Sequence, residues 1–190
     1  MKKVLLILCF GMLVITLKAQ VKPLYFYGDS IIADSTKATS YGIFGKLSNE
    51  EIYVLKRYDF YDNLLQTGTF KDDSLKIPHG KFSYYNFVDD FNQQNGTYFY
   101  LKQSNRYLSD QGSYNNGFKV GRWITFYPDG NILAILNYVN GLKQGEYKVF
   151  DRKGKVKVEG QYLLDLKSGT WKTGRKIETY TEGRLRAASN

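Results

Sequence analysis

The chain has few of the residues that most often carry chemistry. Its 190 residues include one cysteine, one histidine and three prolines. The cysteine, Cys9, lies in the hydrophobic N-terminal segment, so the rest of the chain has no thiol for a disulfide or a thiolate metal site. Stability must therefore come from packing and hydrogen bonds.

Motifs for nucleotides, metals and nucleic acids are also missing. No G-x-x-x-x-G-K-[ST] or G-x-G-x-x-G run opens a helix. The acidic pairs Asp72-Asp73 and Asp89-Asp90 lie outside any D-x-[DN]-x-[DN]-G loop, which predicts solvated turns rather than a calcium site. Long blocks of one charge sign, typical of dedicated polyanion binders, are absent. We therefore expect no cofactor, no metal and no nucleic acid partner.

The first residues have the pattern of an export signal. Lys2 and Lys3 precede an apolar run from Val4 to Leu17, and a small residue, Ala19, follows it. Residues 1–19 are therefore predicted to be a signal peptide, cleaved after Ala19. A membrane anchor is the competing interpretation, but the run is shorter than the roughly 20 residues that span a bilayer. The formal charge of +9 falls to about +6 without the three lysines of this segment.

The second half of the chain repeats itself about every 24 residues, which indicates a repeat architecture. Each unit reads G-x-[WY]-x-x-F-x-x-x-G, followed by Y-x-x-G and an apolar residue. Three sets of residues align: Gly121, Gly145 and Gly169; Trp123, Tyr147 and Trp171; and Tyr114, Tyr138 and Tyr162. In the third copy, Asp165 takes the place of the last glycine.

Each unit is predicted to be a β-hairpin. Apolar residues alternate from Ile132 to Tyr138, as in a strand with one packed face, and two of the three residues between them become charged in the next copy. Turn sequences at 127–130 and 151–154 separate the two strands of a unit. Glycine-punctuated links such as 140–145 predict that successive hairpins extend one antiparallel sheet. No segment after the signal peptide has a convincing helical period.

Upstream of Gly112 the pattern weakens. Gly96-Thr97-Tyr98 and Gly80-Lys81-Phe82 each open a shortened unit, and Gly68-Thr69-Phe70 closes one that begins near Tyr53. The predicted fold is all-β, an elongated antiparallel sheet of successive hairpin repeats. The predicted divisions are a signal peptide at 1–19, a lead-in segment with short strands at 20–52, degenerate repeats at 53–111, regular repeats at 112–185 and a tail at 186–190.

This spacing of glycines and aromatic residues resembles MORN-type repeats, in particular the shorter bacterial variant. The resemblance covers about residues 53 to 185 and is strongest from Gly112 to Leu185. It implies a curved antiparallel sheet that serves as an interaction or scaffolding surface, and it brings no catalytic residues with it. Eukaryotic MORN proteins are associated with membranes and assembly, whereas the bacterial variants are mostly of unknown function.

One segment resembles part of an enzyme. Residues 25–31, Y-F-Y-G-D-S-I, are similar to the nucleophile block of GDS-type serine esterases, with Ser30 as the nucleophile. That family keeps its acid and base as D-x-x-H near the C-terminus, but here Lys76 stands three residues before His79, the only histidine. We therefore expect a turn at Gly28-Asp29-Ser30 and no catalytic residues.

These patterns predict an exported, non-catalytic repeat protein that acts as a binding or scaffold surface. We expect it to be periplasmic, envelope-associated or secreted, with a protein or an envelope component as partner. Peripheral membrane binding is the alternative, and a serine esterase using Ser30 is a less favoured one. The binding residues expected on the solvent-facing surface of the repeats are Arg122, Tyr127, Lys143, Lys148, Trp171 and Lys172.

Overall fold

One open antiparallel sheet of 14 strands accounts for most of the chain in the computed structural model. The structure describes residues 23–47, 50–102 and 104–189. The predicted signal peptide at residues 1–19 lies outside the described residues. The prediction of an all-β sheet of successive hairpins is confirmed.

The strands follow one another across the sheet in nearly their order along the chain. Strands β1 to β7 are Leu24–Tyr27, Ser30–Ile32, Ser40–Lys46, Tyr53–Tyr58, Leu64–Phe70, Gly80–Phe87 and Arg106–Asn115. Strands β8 to β14 are Phe118–Phe126, Ile132–Val139, Leu142–Phe150, Val156–Leu163, Leu166–Thr173, Lys176–Thr181 and Arg184–Ser189. From β3 to β14 each strand pairs with its neighbours in sequence, whereas β1 lies between β2 and β3. The pairing is therefore mostly local, as hairpin repeats require.

Two-residue turns close the hairpins at one end of the sheet. Both residues of each turn have positive φ, and the pairs are Asn116 with Gly117, Asn140 with Gly141, Leu164 with Asp165, and Glu182 with Gly183. Asn-Gly is the preferred sequence for such a turn, because both residues must adopt the left-handed conformation. Two of these turns also contact the strand that follows the preceding turn: the backbone N–H of Gly141 donates to the carbonyl of Lys119 at 2.9 Å, and that of Asp165 donates to the carbonyl of Lys143 at 3.0 Å.

The third of these turns is strained at Leu164, which predicts a stabilising substitution. Leu164 has φ of 51° and a side chain that is 57% exposed, so it occupies a costly conformation without burying its side chain. Leu164→Asn is expected to stabilise the protein by about 1 kcal/mol and to raise Tm by about 2–4 °C. Leu163→Asn is the control, because the neighbouring leucine is similarly exposed but has an ordinary backbone. Thermal unfolding that shows no gain for Leu164→Asn over Leu163→Asn would contradict this account.

Longer turns of one repeated type close the hairpins at the opposite end. A backbone hydrogen bond spans each turn, from Tyr127 N to Asn131 O at 2.8 Å and from Asp151 N to Lys155 O at 2.9 Å. These are the turns predicted at 127–130 and 151–154. The same bond joins Asp59 to Asn63 at 3.0 Å between β4 and β5, so the degenerate hairpin predicted from near Tyr53 is present too.

The connection between β6 and β7 differs from the prediction. Helix α1, Val88–Asn95, occupies it, and Gly96 ends the helix with φ of 61° instead of opening a hairpin. The segment that follows is held by Asn92, whose side chain donates to the carbonyl of Phe99 at 2.9 Å and accepts from its N–H at 2.8 Å. Packing explains the helix, since its two buried residues, Val88 and Phe91, belong to a hydrophobic cluster with Phe99 and Tyr107.

An ion pair of low exposure ties this connection to the β4–β5 turn. The guanidinium of Arg106, at the start of β7, donates to the carboxylate of Asp59 at 2.7 Å, and the two side chains are only 9% and 13% exposed. The guanidinium also lies over the ring of Phe87, 3.3 Å from its centroid. Burial alone would raise the pKa of Asp59, but hydrogen bonds from Asn63 and Arg106 outweigh it and hold that pKa below its usual value.

The main hydrophobic core lies on one face of the sheet. Its buried members come from strands that are far apart in sequence: Phe26, Leu55, Phe70, Phe82 and Trp123. Tyr84, Tyr114 and Tyr138 pack against this cluster. Alternate residues of each strand point to this side. Because most of the core residues are aromatic, we call it the aromatic face. The opposite side is called the polar face.

Candidate functional site

A ladder of aromatic rings crosses the regular repeats on the aromatic face. Trp123 contacts Tyr114 on one side and Tyr138 on the other, with ring centroids 5.2 and 6.2 Å apart. Trp171 repeats this arrangement with Tyr162 and Tyr180, at 5.0 and 6.4 Å. These distances are typical of aromatic pairs that stabilise cross-strand packing. The rings therefore form two groups with the same repeated arrangement.

Small residues on the neighbouring strand make room for the two indoles. A Cβ atom added to Gly112 would lie 2.2 Å from Cδ2 of Trp123, and one added to Gly160 would lie 2.3 Å from Cδ2 of Trp171. In the unit between them, Leu136 occupies the position of the glycine and pairs with Tyr147, a smaller ring. The size of the ring thus varies with the space that the neighbouring strand leaves.

Three lysines recur at one position of the repeat and lie over these rings. The Nζ atom of Lys119 is 4.1 Å from the centroid of the Trp123 ring, and that of Lys167 is 4.4 Å from the centroid of Trp171. The Nζ atom of Lys143 lies 5.2 Å from the centroid of Tyr162. These are cation–π distances. We call Lys119, Lys143 and Lys167 the lysine row.

The lysine row is distinct from the other charged groups of the repeats. Within the described residues, none of the three lysines forms a salt bridge. Burial lowers the pKa of Lys119, because its ammonium lies against ring faces and away from bulk water. Adjacent lysines lie two strands apart, or about 10 Å at the usual strand spacing. The lysine row therefore presents regularly spaced ammonium groups over the faces of aromatic rings.

Three of the six predicted binding residues lie on the polar face instead. Arg122, Lys148 and Lys172 directly neighbour Trp123, Tyr147 and Trp171 in sequence, so alternation places them on the other side of the sheet.

Acidic partners neutralise two of these three cations. Lys148 pairs with Glu146 at 2.5 Å, and Lys172 pairs with Glu159 at 2.8 Å. The hydrogen bond from Lys172 lowers the pKa of Glu159 below its usual value. The polar face therefore carries compensated charge.

The other three predicted binding residues, Tyr127, Lys143 and Trp171, do not form a common surface with Arg122, Lys148 and Lys172. Trp171 is only 3% exposed, so the expectation that it faces solvent is wrong: its indole fills the space opposite Gly160. Lys143 belongs to the lysine row. Tyr127 lies at the end of β8, where its hydroxyl donates to the carbonyl of Phe150 at 2.8 Å and its ring packs against Phe91. The six residues thus do not form one surface.

Sequence reasoning missed two members of the lysine row although a signal was present. Lys119 and Lys167 occupy the same repeat position as Lys143, directly after the apolar residue that follows each two-residue turn. Reading the lysines in the register of the repeat would have revealed the row. Their position over the rings, in contrast, depends on how the strands pair.

The residues of the esterase-like segment are not assembled into a triad. Ser30 is exposed on β2, and among the described residues no hydrogen bond joins it to a histidine or a carboxylate. The Nδ1 atom of His79 accepts from the backbone N–H of Asn116 at 3.4 Å. The neighbouring Asp29 pairs with Arg57 at 3.0 Å. In the described part of the chain, no cluster of three or more metal-ligating side chains is found.

No helix of the described residues has the length and apolar character needed to cross a membrane.

The fold and the recurring residues of its aromatic face define a repeat protein built from β-hairpins. The family model of the MORN repeat variant matches residues 119–140 and 143–163. These two matches coincide with the hairpins β8–β9 and β10–β11, and they support a MORN-like repeat protein. No curated protein matches the chain in sequence.

Proposed function

We propose that this is an exported bacterial repeat protein that binds a partner through its aromatic face and does not catalyse a reaction. Its partner is a protein or another component of the cell envelope, and its role is that of a binding or scaffold surface. The signal-like pattern of residues 1–19 supports export. MORN-type repeats commonly act as binding modules, which is compatible with this role.

The lysine row is the observation that carries the proposal. Its three ammonium groups recur at one repeat position over the rings of Trp123, Tyr162 and Trp171, whereas two of the three cations compared on the polar face are neutralised by acidic partners. Cationic and aromatic groups together are enriched at recognition surfaces. An array of this kind repeats the same contact along an extended partner, and each repeat adds to the affinity.

A comparison of the two faces tests the proposal in cells. A C-terminally tagged copy is crosslinked, the envelope is fractionated, and the attached material is identified by mass spectrometry. Changing Lys119, Lys143 and Lys167 together to Gln is expected to reduce the crosslinked partner about tenfold. The matched control changes Arg122, Lys148 and Lys172 to Gln, which removes the same charge from the polar face and is expected to leave the yield unchanged.

The remaining outcomes distinguish the alternatives. Loss of the partner in the control variant and not in the lysine-row variant would contradict the assignment of the binding face. Recovery of lipid alone would favour peripheral membrane binding, in which high salt screens the attraction between lysines and anionic headgroups.

A further inference from the structure

A small cavity opens on the aromatic face near the first strands. Its volume is about 190 Å³, and its apolar lining includes Phe26, Leu55, Phe70 and Phe82. The connection between β5 and β6 contributes Leu75 and Pro78 to the wall. An apolar cavity of about 150 Å³ is enough to bind benzene. This cavity therefore has room for one ring-sized apolar group.

Arg57 provides the charge of the cavity and is held rigidly. Its Nε atom donates to the hydroxyl of Ser40 at 2.8 Å, its Nη2 atom donates to the carbonyl of Gly28, and its guanidinium lies 4.7 Å from the centroid of the Phe26 ring. The Arg57 side chain is only 11% exposed. A guanidinium fixed in this way is preorganised to receive a carboxylate.

The present counter-charge of Arg57 is exchangeable. Nη1 of Arg57 donates to the carboxylate of Asp29 at 3.0 Å, and the Asp29 side chain is fully exposed to solvent. An exposed carboxylate gains little from such a pair, because water solvates it almost equally well. Asp29 can therefore leave Arg57 at little cost when another carboxylate enters the cavity.

Further polar groups lie beside Arg57 in the same cross-strand row. Gln66 pairs with Arg57 on one side and with Tyr84 on the other, and both side chains line the cavity. The amide of Gln66 offers a donor and an acceptor. Burial raises the pKa of Tyr84, so its phenol stays neutral, and its hydroxyl lies 3.3 Å from that of Tyr114.

The row of polar groups begins in the early strands and extends as far as β8. The same row continues through Asp110 and Thr125, which hydrogen-bond to each other at 2.9 Å, and becomes apolar at Ala134, Val149 and Val158. Of these polar residues, Arg57, Gln66 and Tyr84 line the cavity, whereas Asp110 and Thr125 lie beyond it and bond to each other. Packing of the sheet alone does not require Arg57 and Gln66 there, since the later repeats pack without them.

We propose that this cavity binds a small carboxylate carried on an apolar body. The ligand's carboxylate replaces that of Asp29 on Arg57, and its apolar body lies against the rings of Phe26 and Phe82. A free organic acid and the C-terminal residue of a peptide share this chemistry. The site is independent of the partner of the lysine row, so its failure would leave the proposed function of the aromatic face unaffected.

Binding of simple probes to the mature chain tests the site. The probes are phenylacetate, its neutral amide phenylacetamide, and the peptide Gly-Gly-Phe with a free or an amidated C-terminus, measured by NMR titration. Each carboxylate is expected to bind at least about tenfold more tightly than its amide, as hydrogen bonds to a charged group imply. Binding of phenylacetate alone identifies a free acid as the ligand, and preferential binding of the free peptide identifies a chain terminus.

Two variants separate recognition from folding. Arg57→Gln is expected to weaken phenylacetate binding about tenfold. Asp29→Asn is expected to strengthen phenylacetate binding several-fold, because it removes the competing carboxylate. This variant tests carboxylate binding at Arg57 even if Arg57→Gln does not fold. Asp90→Asn, which neutralises an exposed acid on α1, is the control for net charge and is expected to have no such effect. Equal binding of acid and amide, no binding by any probe, or equal effects of Asp29→Asn and Asp90→Asn would overturn the proposal.

Discussion

Gly160→Leu is expected to destabilise the protein by about 3 kcal/mol, near the upper end of what overpacking a core costs. A Cβ atom at this position would lie 2.3 Å from Cδ2 of Trp171, and the indole is buried among neighbouring rings. The ring therefore cannot move aside without losing its contacts. Urea and thermal unfolding of the protein measure the loss.

A second substitution is expected to rescue much of this loss. Adding Trp171→Tyr to Gly160→Leu recreates the pair that the preceding unit holds at Leu136 and Tyr147. On its own, Trp171→Tyr removes buried ring atoms and is expected to be destabilising. The effect of Trp171→Tyr should thus change sign between the two backgrounds, which a double-mutant cycle measures directly.

Gly45→Leu is the matched control for the first change. Gly45 lies in β3, and no atom lies within 4 Å of a Cβ added there. The expected change in the free energy of unfolding is within about 0.5 kcal/mol, as for most exposed positions. Two results would contradict the packing of rings opposite glycines: additive effects of Gly160→Leu and Trp171→Tyr, or a loss of stability for Gly45→Leu equal to that for Gly160→Leu.

Asp59→Asn is expected to destabilise the protein by about 2 kcal/mol at neutral pH, as the loss of a hydrogen-bonded charge from a poorly exposed pair implies. The substitution keeps the shape of the side chain but leaves the guanidinium of Arg106 without its carboxylate. Arg106 has no other acidic partner in the salt bridges of the described residues, and its Nε atom is already buried without a hydrogen bond.

The effect should depend on pH in a defined direction. The pKa of Asp59 is lower in the folded protein than its ordinary value, so its charge stabilises the fold above the unfolded-state pKa of about 3.9. This stabilisation is lost as the pH falls through the lower, folded-state pKa. The difference in unfolding free energy between the wild type and Asp59→Asn is therefore expected to shrink below about pH 4.

Asp29→Asn provides the matched control, because Asp29 also pairs with an arginine but is fully exposed. We expect no measurable loss of stability at neutral pH. If the two variants behave alike, the low exposure of the Asp59–Arg106 pair has no energetic consequence.

The regular half of the fold could be predicted because its causes are local. The alternation from Ile132 to Tyr138 specifies a strand, and the turn at 127–130 brings the next strand back beside it. Helix α1 could not be predicted in the same way. Its apolar pattern consists of Val88 and Phe91 alone, which is too short to show a helical period. Contacts with Phe99 and Tyr107 stabilise it, and these residues come later in the chain.

The candidate site was predicted only in part. Lys143 was identified as a binding residue, and its repeat position leads directly to Lys119 and Lys167. Trp171 was misplaced because its burial depends on Gly160, a residue of the neighbouring strand. Alternation within β8 could have shown that Arg122 points away from Trp123, since adjacent residues of a strand face opposite sides.

By itself, the sequence determined the repeat, the hairpins and the order of the regular strands, because turn chemistry and alternation act within a single unit. Only the tertiary structure decided which groups meet across the sheet. Asp59 and Arg106 are 47 residues apart, and Arg57 reaches Asp29 from another hairpin. Such contacts depend on strand register and on the space left between side chains, and neither quantity is encoded in one segment of the chain.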